Sequence, residues 1–238
     1  MSEWWTYTLS DFLLFSPGTY YRLFEIYNAA VWPAQVLAVV LGLTILALLR
    51  RAAAEARGRL IAAILAASWL WVAIAFLAKR YATINWAAAY FAWAFGLEAA
   101  LLLWIGVVRG RLPFEKPADA AGRAGLAIFL FALVLEPLVG PLLGRGWKQV
   151  EIFGMAPDPT AVATLGLLLL ARARGRSLIV IPAIWCAITG ATLLAMKAPD
   201  AWIPPLAAAL CIFLAIWQKR NAPRTIWSAA RRWSDSWR

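Results

Sequence analysis

Seven apolar runs separated by short polar connections make up most of the chain. They are Val31–Leu49, Leu60–Ala78, Ile84–Val108, Ala124–Leu143, Pro159–Ala171, Ser177–Met196 and Ala201–Gln218. Six are long enough to cross a hydrocarbon core of about 30 Å as helices, with tilt absorbing any excess. The fifth is the exception. Its 13 residues rise only about 20 Å at 1.5 Å per residue. This pattern predicts an all-α fold, an integral membrane bundle of seven transmembrane helices. The short fifth helix then either starts below the membrane surface or is lengthened by Arg172, Arg174 and Arg176 snorkelling at its far end. Asp158 followed by Pro159 predicts its N-cap and first helical position.

The two ends have a different pattern. Ser16-Pro17 predicts another helix start, and Tyr20, Leu23, Phe24 and Tyr27 then recur at helical spacing, with Arg22, Glu25 and Asn28 off the stripe. Residues 1–30 are therefore expected to hold an external interfacial helix, read as an anchor or a lid over a pocket. Residues 31–218 form the seven-helix transmembrane domain. Residues 219–238 form a basic amphipathic cytoplasmic tail, with Ile226, Trp227, Ala230, Trp233 and Trp237 on one face among Arg224, Arg231, Arg232 and Arg238. Anionic membrane lipid is the expected partner of that tail, with a partner-docking helix as the alternative.

The connections set the orientation. Of the 23 Lys and Arg, 17 lie in 50–59, 109–123, 172–176 and 219–238, and six lie in the N-terminal segment, 79–83, 144–158 and 197–200. The positive-inside rule then places the N-terminus outside and the C-terminus in the cytoplasm of a bacterial inner membrane. It also counts the short fifth run as a true crossing, because a re-entrant loop would move its arginines outside. The start of the chain, M-S-E-W-W-T-Y, lacks a basic n-region, so no cleaved signal peptide is expected.

Composition agrees with the pattern and removes several chemistries. The chain is 63% hydrophobic and 15% charged, against about 25% charged in soluble domains. The +11 net charge sits in short clusters between apolar runs, not on one basic face, so nucleic acid is not an expected partner. There is no histidine, which removes the usual haem and zinc ligand and Ser/His or Cys/His catalysis. Cys186 and Cys211 lie inside apolar runs and read as small buried hydrophobes, with a soft-metal pair as the other reading. No phosphate-binding loop motif occurs, and runs six and seven hold no interior lysine for a Schiff base. Trp32, Trp86, Trp202 and Trp217 sit near run ends, as interfacial aromatics do. Trp69, Trp71, Trp93 and Trp185 lie deeper and read as packing residues. The chain is expected not to be an enzyme and to carry no cofactor or metal.

The candidate chemistry is acidic. Glu98 and Glu136 lie inside the third and fourth runs at similar depth. If consecutive helices pack as antiparallel neighbours, the two carboxyls face each other near the midplane. Intramembrane acids are costly when charged and unpaired, so they mark either a functional site or a hydrogen-bonded helix contact. Pro137 and Pro141 would free carbonyls at Leu133 and Pro137 beside Glu136. A second candidate lies in the external loop at Lys148, Glu151 and Asp158, where a helix N-terminus would otherwise favour an anion.

The run F-G-M-A-P-D-P-T-A-V-A-T-L-G-L-L-L-L, Phe153 to Leu170, resembles the F-G-x-x-P-x-P-T signature of a bacterial polytopic integral membrane family catalogued as a domain of unknown function. N-A-A-V-W-P at Asn28–Pro33, Ile84-Asn85, and R-S-L-I-V-I-P-A-I-W at Arg176–Trp185 are similar to it as well. The likeness implies a polytopic inner-membrane protein and no particular activity. The family it resembles often has cysteine where Asp158 stands, glutamine near Glu98 and tyrosine near Glu136. Two functions follow as expectations. One is a small transporter or channel-like protein with a polar centre at Glu98 and Glu136. The other is a non-catalytic scaffold or accessory subunit with a membrane protein partner or a second copy of itself. A polar cavity reaching one of the acids favours the first, and a solid core beside an exposed aromatic groove favours the second.

Overall fold

The computed structural model describes residues 15–50, 54–171 and 177–221. The basic tail beyond Asn221 and Arg172, Arg174 and Arg176 lie outside the described residues, as do residues 1–14. Among the described residues there are helices and connections and no strand.

Helix α1 (Pro17–Val31) begins as its sequence predicts. The Ser16 hydroxyl accepts from the Thr19 N–H, and Pro17 opens the first turn. Helix α2 (Ala34–Arg50) follows at 90°. The break falls at Trp32-Pro33, where Pro33 has no N–H to donate and forces its predecessor into extended backbone (φ −58, ψ 133). The Tyr20, Leu23, Phe24 and Tyr27 stripe is buried as one face. Its partner is protein: Phe24 stacks on Phe76 at 4.7 Å, and Tyr20 meets Tyr81 edge-on at 5.9 Å. A stripe at helical spacing does not distinguish lipid from protein, and here protein covers it.

Helix α3 (Ala54–Trp71) continues through a π-helical stretch, Val72–Ala78. Helix α4 (Ala88–Leu102) starts four residues later than the third apolar run. A 3₁₀ turn at Tyr81–Thr83 precedes it, and Asn85 Oδ1 accepts from the Ala87 N–H. It too ends in a π stretch, Leu103–Val108. Helix α5 (Ala120–Leu130) is capped by Asp119, runs through π-helical Phe131–Leu135, and continues as α6 (Glu136–Leu142). The chain closes with α7 (Pro157–Leu170), α8 (Val180–Ala195) and α9 (Ile203–Asn221).

Among the described residues, four helical stretches are long and apolar enough to cross a membrane: Ala56–Thr83, Ala88–Val108, Ala120–Leu142 and Ser177–Ala195. The bent α1–α2 pair makes a fifth if it counts as one span. Several of their large side chains are exposed, among them Trp93 at 80%, Trp104, Val134 and Ile184. Apolar surface on this scale suits lipid and not water.

Helix α7 is the centre of the molecule. Every residue from Pro157 to Leu170 is buried, and α5, α8, α9 and α3 all pack on it. Against α5 the contact is backbone to backbone. A Cβ on Gly125 would lie 2.5 Å from the Gly166 carbonyl oxygen, and one on Gly166 would lie 2.6 Å from that of Gly125. Small residues permit this approach where no apolar moment guides the pairing.

The missing length of α7 is made up at both ends. Phe153, Met155 and Ala156 are buried above its start. Below it, Leu112 and Phe114 are buried and the Glu115 N–H donates to the Leu170 carbonyl at 3.1 Å. The expected cap is different, however. The N-cap is Ala156, which gives no side-chain hydrogen bond, and Asp158 is already helical. With Pro157 as well as Pro159 available to open the helix, the start moves two residues earlier. That frees the Asp158 carboxyl to point across to α8.

Because α7 stands in the middle, α4 packs on α3 and α8, and α5 packs on α7. The helices bearing Glu98 and Glu136 are therefore not packed as neighbours, and the expected facing pair is not formed.

Candidate functional site

The site is built at the end of α6. Gly144, with φ +87, takes the left-handed position just after the helix. The Gly144 N–H donates to Pro141 O and the Arg145 N–H donates back to Gly140 O at 2.9 Å. This is a Schellman turn, and it folds Arg145 back along the helix it has just left. A Cβ on Gly140 would lie 2.9 Å from Arg145 Nε, so a glycine there lets the guanidinium lie against the backbone.

The same turn ends α8. Lys197 takes the left-handed position (φ +57), donating to Leu194 O, while the Ala198 N–H donates to Leu193 O. Two residues on, Asp200 meets Arg145, its Oδ2 accepting from Nη2 at 2.5 Å. Arg145 also reaches Glu151 Oε1 at 4.0 Å and lies over the Tyr21 ring at 4.7 Å. The loop that carries Glu151 is pinned to α1. The Asn28 side-chain amide donates to the Lys148 and Val150 carbonyls at 3.0 and 2.9 Å.

Glu136, Pro137, Gly140, Arg145, Glu151, Asp158 and Asp200 are among the residues lining one cavity of about 30 Å³, room for about one water or small ion. Asp158 Oδ1 accepts from Trp185 Nε1 at 2.7 Å and Thr189 Oγ1 at 2.9 Å. Glu136 Oε2, Glu151 Oε2 and Asp200 Oδ1 are buried and have no hydrogen-bond partner. Four carboxyls thus surround a single guanidinium. When ionised, these carboxylates only accept, and the cavity is then short of donors as well as of positive charge.

The structure joins what the sequence separated. Glu136 and Pro137 from the helix candidate, and Glu151 and Asp158 from the loop candidate, line the same space. The acids that act electrostatically on Glu136 are Asp158, Glu151 and Asp200, with Glu98 not among them. Glu98 is fully buried elsewhere, with neither carboxyl oxygen partnered. Lys148 does not line the cavity and contributes only its carbonyl, to Asn28. Arg145 and Asp200 were not singled out from the sequence. The Gly-Arg-Gly at 144–146 is a signal for Arg145, since glycines flank a residue that must turn sharply. Asp200 has no such signal, because its partner is 55 residues away.

Burial pushes the Glu151 carboxyl well above its ordinary range, with the neighbouring Asp158 adding to the rise and Arg145 opposing it. An acid whose pKa is raised on folding takes up a proton on folding. Its penalty appears as pH climbs past the unfolded value near 4.3 and grows until the folded value is passed. The stability of the purified protein, followed by its melting midpoint, should therefore fall as pH rises above about 5, by up to about 1.4 kcal/mol per pH unit for one proton. Glu151→Gln should flatten that fall. An equal slope in the variant and the parent would contradict this account.

An all-helical protein with helices of membrane-crossing length, enclosing an acidic cavity around one arginine, is the class defined so far. The family model described as "Family of unknown function (DUF6064)" matches residues 18–225, and the chain belongs to that family. No curated protein and no solved structure matches it. Among the described residues, no three acids, cysteines or histidines converge closely enough to hold a metal ion.

Proposed function

We propose that the chain is a multi-pass bacterial inner-membrane protein, and that the cavity around Arg145 is the proton- or cation-binding centre of a small transporter or channel-like protein. It performs no covalent catalysis. The observation carrying this reading is the cavity itself: four carboxyls, one guanidinium and three buried carboxyl oxygens without partners. A scaffold has no use for such a space, and a solid core would serve it better. Charge held at this cost inside a membrane protein points to ions or protons.

The contacts at each end of the molecule support seven crossings with the N-terminus outside. Helix α1, residue 81, the 145–151 loop and residue 200 meet at one end through Tyr20–Tyr81, Asn28–Val150 and Arg145–Asp200. These are the segments with few cations. At the other end Gly110 lies against Arg59, and Glu115 bonds Leu170. Helix α7 runs between the two ends, which supports counting it as a crossing despite its length. The basic tail from Lys219 then lies on the anionic cytoplasmic leaflet.

Two measurements test the proposal. A reporter active only in the periplasm, fused after Arg238, should be silent, and activity there would defeat the orientation. Proteoliposomes loaded with a pH dye should show cation-driven proton movement that Glu136→Gln removes. Cation gradients that move no protons and no cation would defeat the transport reading.

A further inference from the structure

We propose that the Arg145 cavity selects a small nitrogen cation carrying several N–H donors, ammonium or a short primary alkylammonium, over metal ions. This deepens the cation-centre reading and rests on it. Glu136 Oε2, Glu151 Oε2 and Asp200 Oδ1 are buried acceptors without donors, and the Asp200 side chain is only 10% exposed. They come from three separate elements: α6, the 145–156 loop, and the turn between α8 and α9. Among the described residues Arg145 supplies the only cationic side chain lining the cavity, and it is already committed to Asp200 and Glu151.

A calcium or magnesium ion would have to draw carboxylate oxygens to about 2.0–2.6 Å, and no three acids among the described residues converge closely enough to hold a metal ion. An N–H donor spans about 2.7–2.9 Å to each charged oxygen and points a separate bond at each. It therefore suits acceptors set wider apart. A cavity of about 30 Å³ accepts a centre about the size of water, so one ammonium group fits and a second guanidinium does not. Water fits too, but it leaves the negative charge uncompensated.

Protons compete with this ligand for the same oxygens. The groups facing the cavity, or acting on it from the elements around it, are Tyr20 and Tyr21 of α1, Tyr81, Glu136, Arg145, Glu151, Asp158, Cys186 of α8 and Asp200. Burial holds the Glu151 carboxyl well above its ordinary range, and a carboxyl so raised gains charge as pH rises, so binding strengthens with pH. Bound cation and bound proton then exclude one another.

The test is ligand-dependent melting of the full chain in nanodiscs of neutral lipid. Ammonium and methylammonium chloride are compared with sodium, potassium, magnesium and tetramethylammonium chloride at equal ionic strength. Ammonium and methylammonium should raise the midpoint saturably, with half-saturation at lower concentration at pH 8 than at pH 6. Glu136→Gln and Glu151→Gln should each weaken half-saturation about tenfold or more, the equivalent of about 1.4 kcal/mol. Glu98→Gln, outside the cavity, should leave it unchanged. Because the comparison of salts needs only the parent protein, a variant that fails to fold does not remove the test. A shift with sodium, potassium or magnesium equal to that with ammonium overturns the nitrogen-cation assignment while leaving the cation centre standing. An equal shift with tetramethylammonium, which has no N–H, overturns it too, and no shift with any cation overturns both readings.

Discussion

Arg145→Met should be the most damaging single change in the polar part of the molecule, lowering stability by about 3–5 kcal/mol at pH 8. Methionine preserves much of the length and apolar stem, so the loss reports the charge and not a void. The guanidinium faces Asp200 and Glu151 directly and shares its cavity with Glu136 and Asp158. Without it, four carboxyls are left in a buried space with no compensating cation. Two responses remain, protonation or unfolding, and protonation becomes harder as pH rises. The defect should therefore shrink at pH 5. Asp200→Asn combined with Arg145→Met should recover part of the loss at pH 8, because it removes one of the charges left behind. Melting of parent, single and double variants at both pH values measures this. A single variant as stable as the parent at pH 8, or a defect that grows on acidification, would refute the electrostatic role.

The second large effect belongs to packing. Gly166→Val should disrupt the fold, and Gly166→Ala should lower stability by about 1–3 kcal/mol, the usual range for overpacking. At Gly166 a Cβ would meet the Gly125 carbonyl oxygen at 2.6 Å and the Phe129 nitrogen at 2.9 Å. Both are backbone atoms on α5, so no rotamer change relieves the clash and the helices must separate. Since α7 is the element on which α5, α8, α9 and α3 all pack, moving it disturbs every contact at once. Gly96→Ala provides the contrast. Nothing lies within 4 Å of its added carbon, and replacing a mid-helix glycine there should leave stability equal to or slightly above that of the parent. Detergent melting of the three variants decides it, and equal tolerance at positions 96 and 166 would show that the close approach is not what holds α5 to α7.

The candidate site was legible in fragments. Glu136 stood out because an acid in an apolar run is expensive, and Glu151 and Asp158 stood out in a loop beside a proline-started helix. The assignment of Asp158 as a cap used the right residue for the wrong contact. Its carboxyl binds Trp185 and Thr189 across the bundle, and no local rule reaches 27 or 31 residues along the chain. Likewise the aromatic stripe of α1 was readable as a stripe, but its partner, Phe76 and Tyr81, was not.

What the sequence determined by itself is therefore where the helices lie along the chain and several of the local devices that begin and end them. Apolar run length, Ser16-Pro17, the break at Pro33 and the glycine at 144 act through backbone geometry and solvent transfer over a few residues, so they can be read one window at a time. Tertiary structure alone decided which helices are neighbours. Helices that are apolar all round have no distinct face to declare a partner, and the order in space is settled by where backbones can approach most closely. Here Gly125 against Gly166 draws α7 into the middle. That placement keeps the helix of Glu98 from packing on that of Glu136, and it brings Glu136 instead to an arginine and three acids whose common address no stretch of sequence contains.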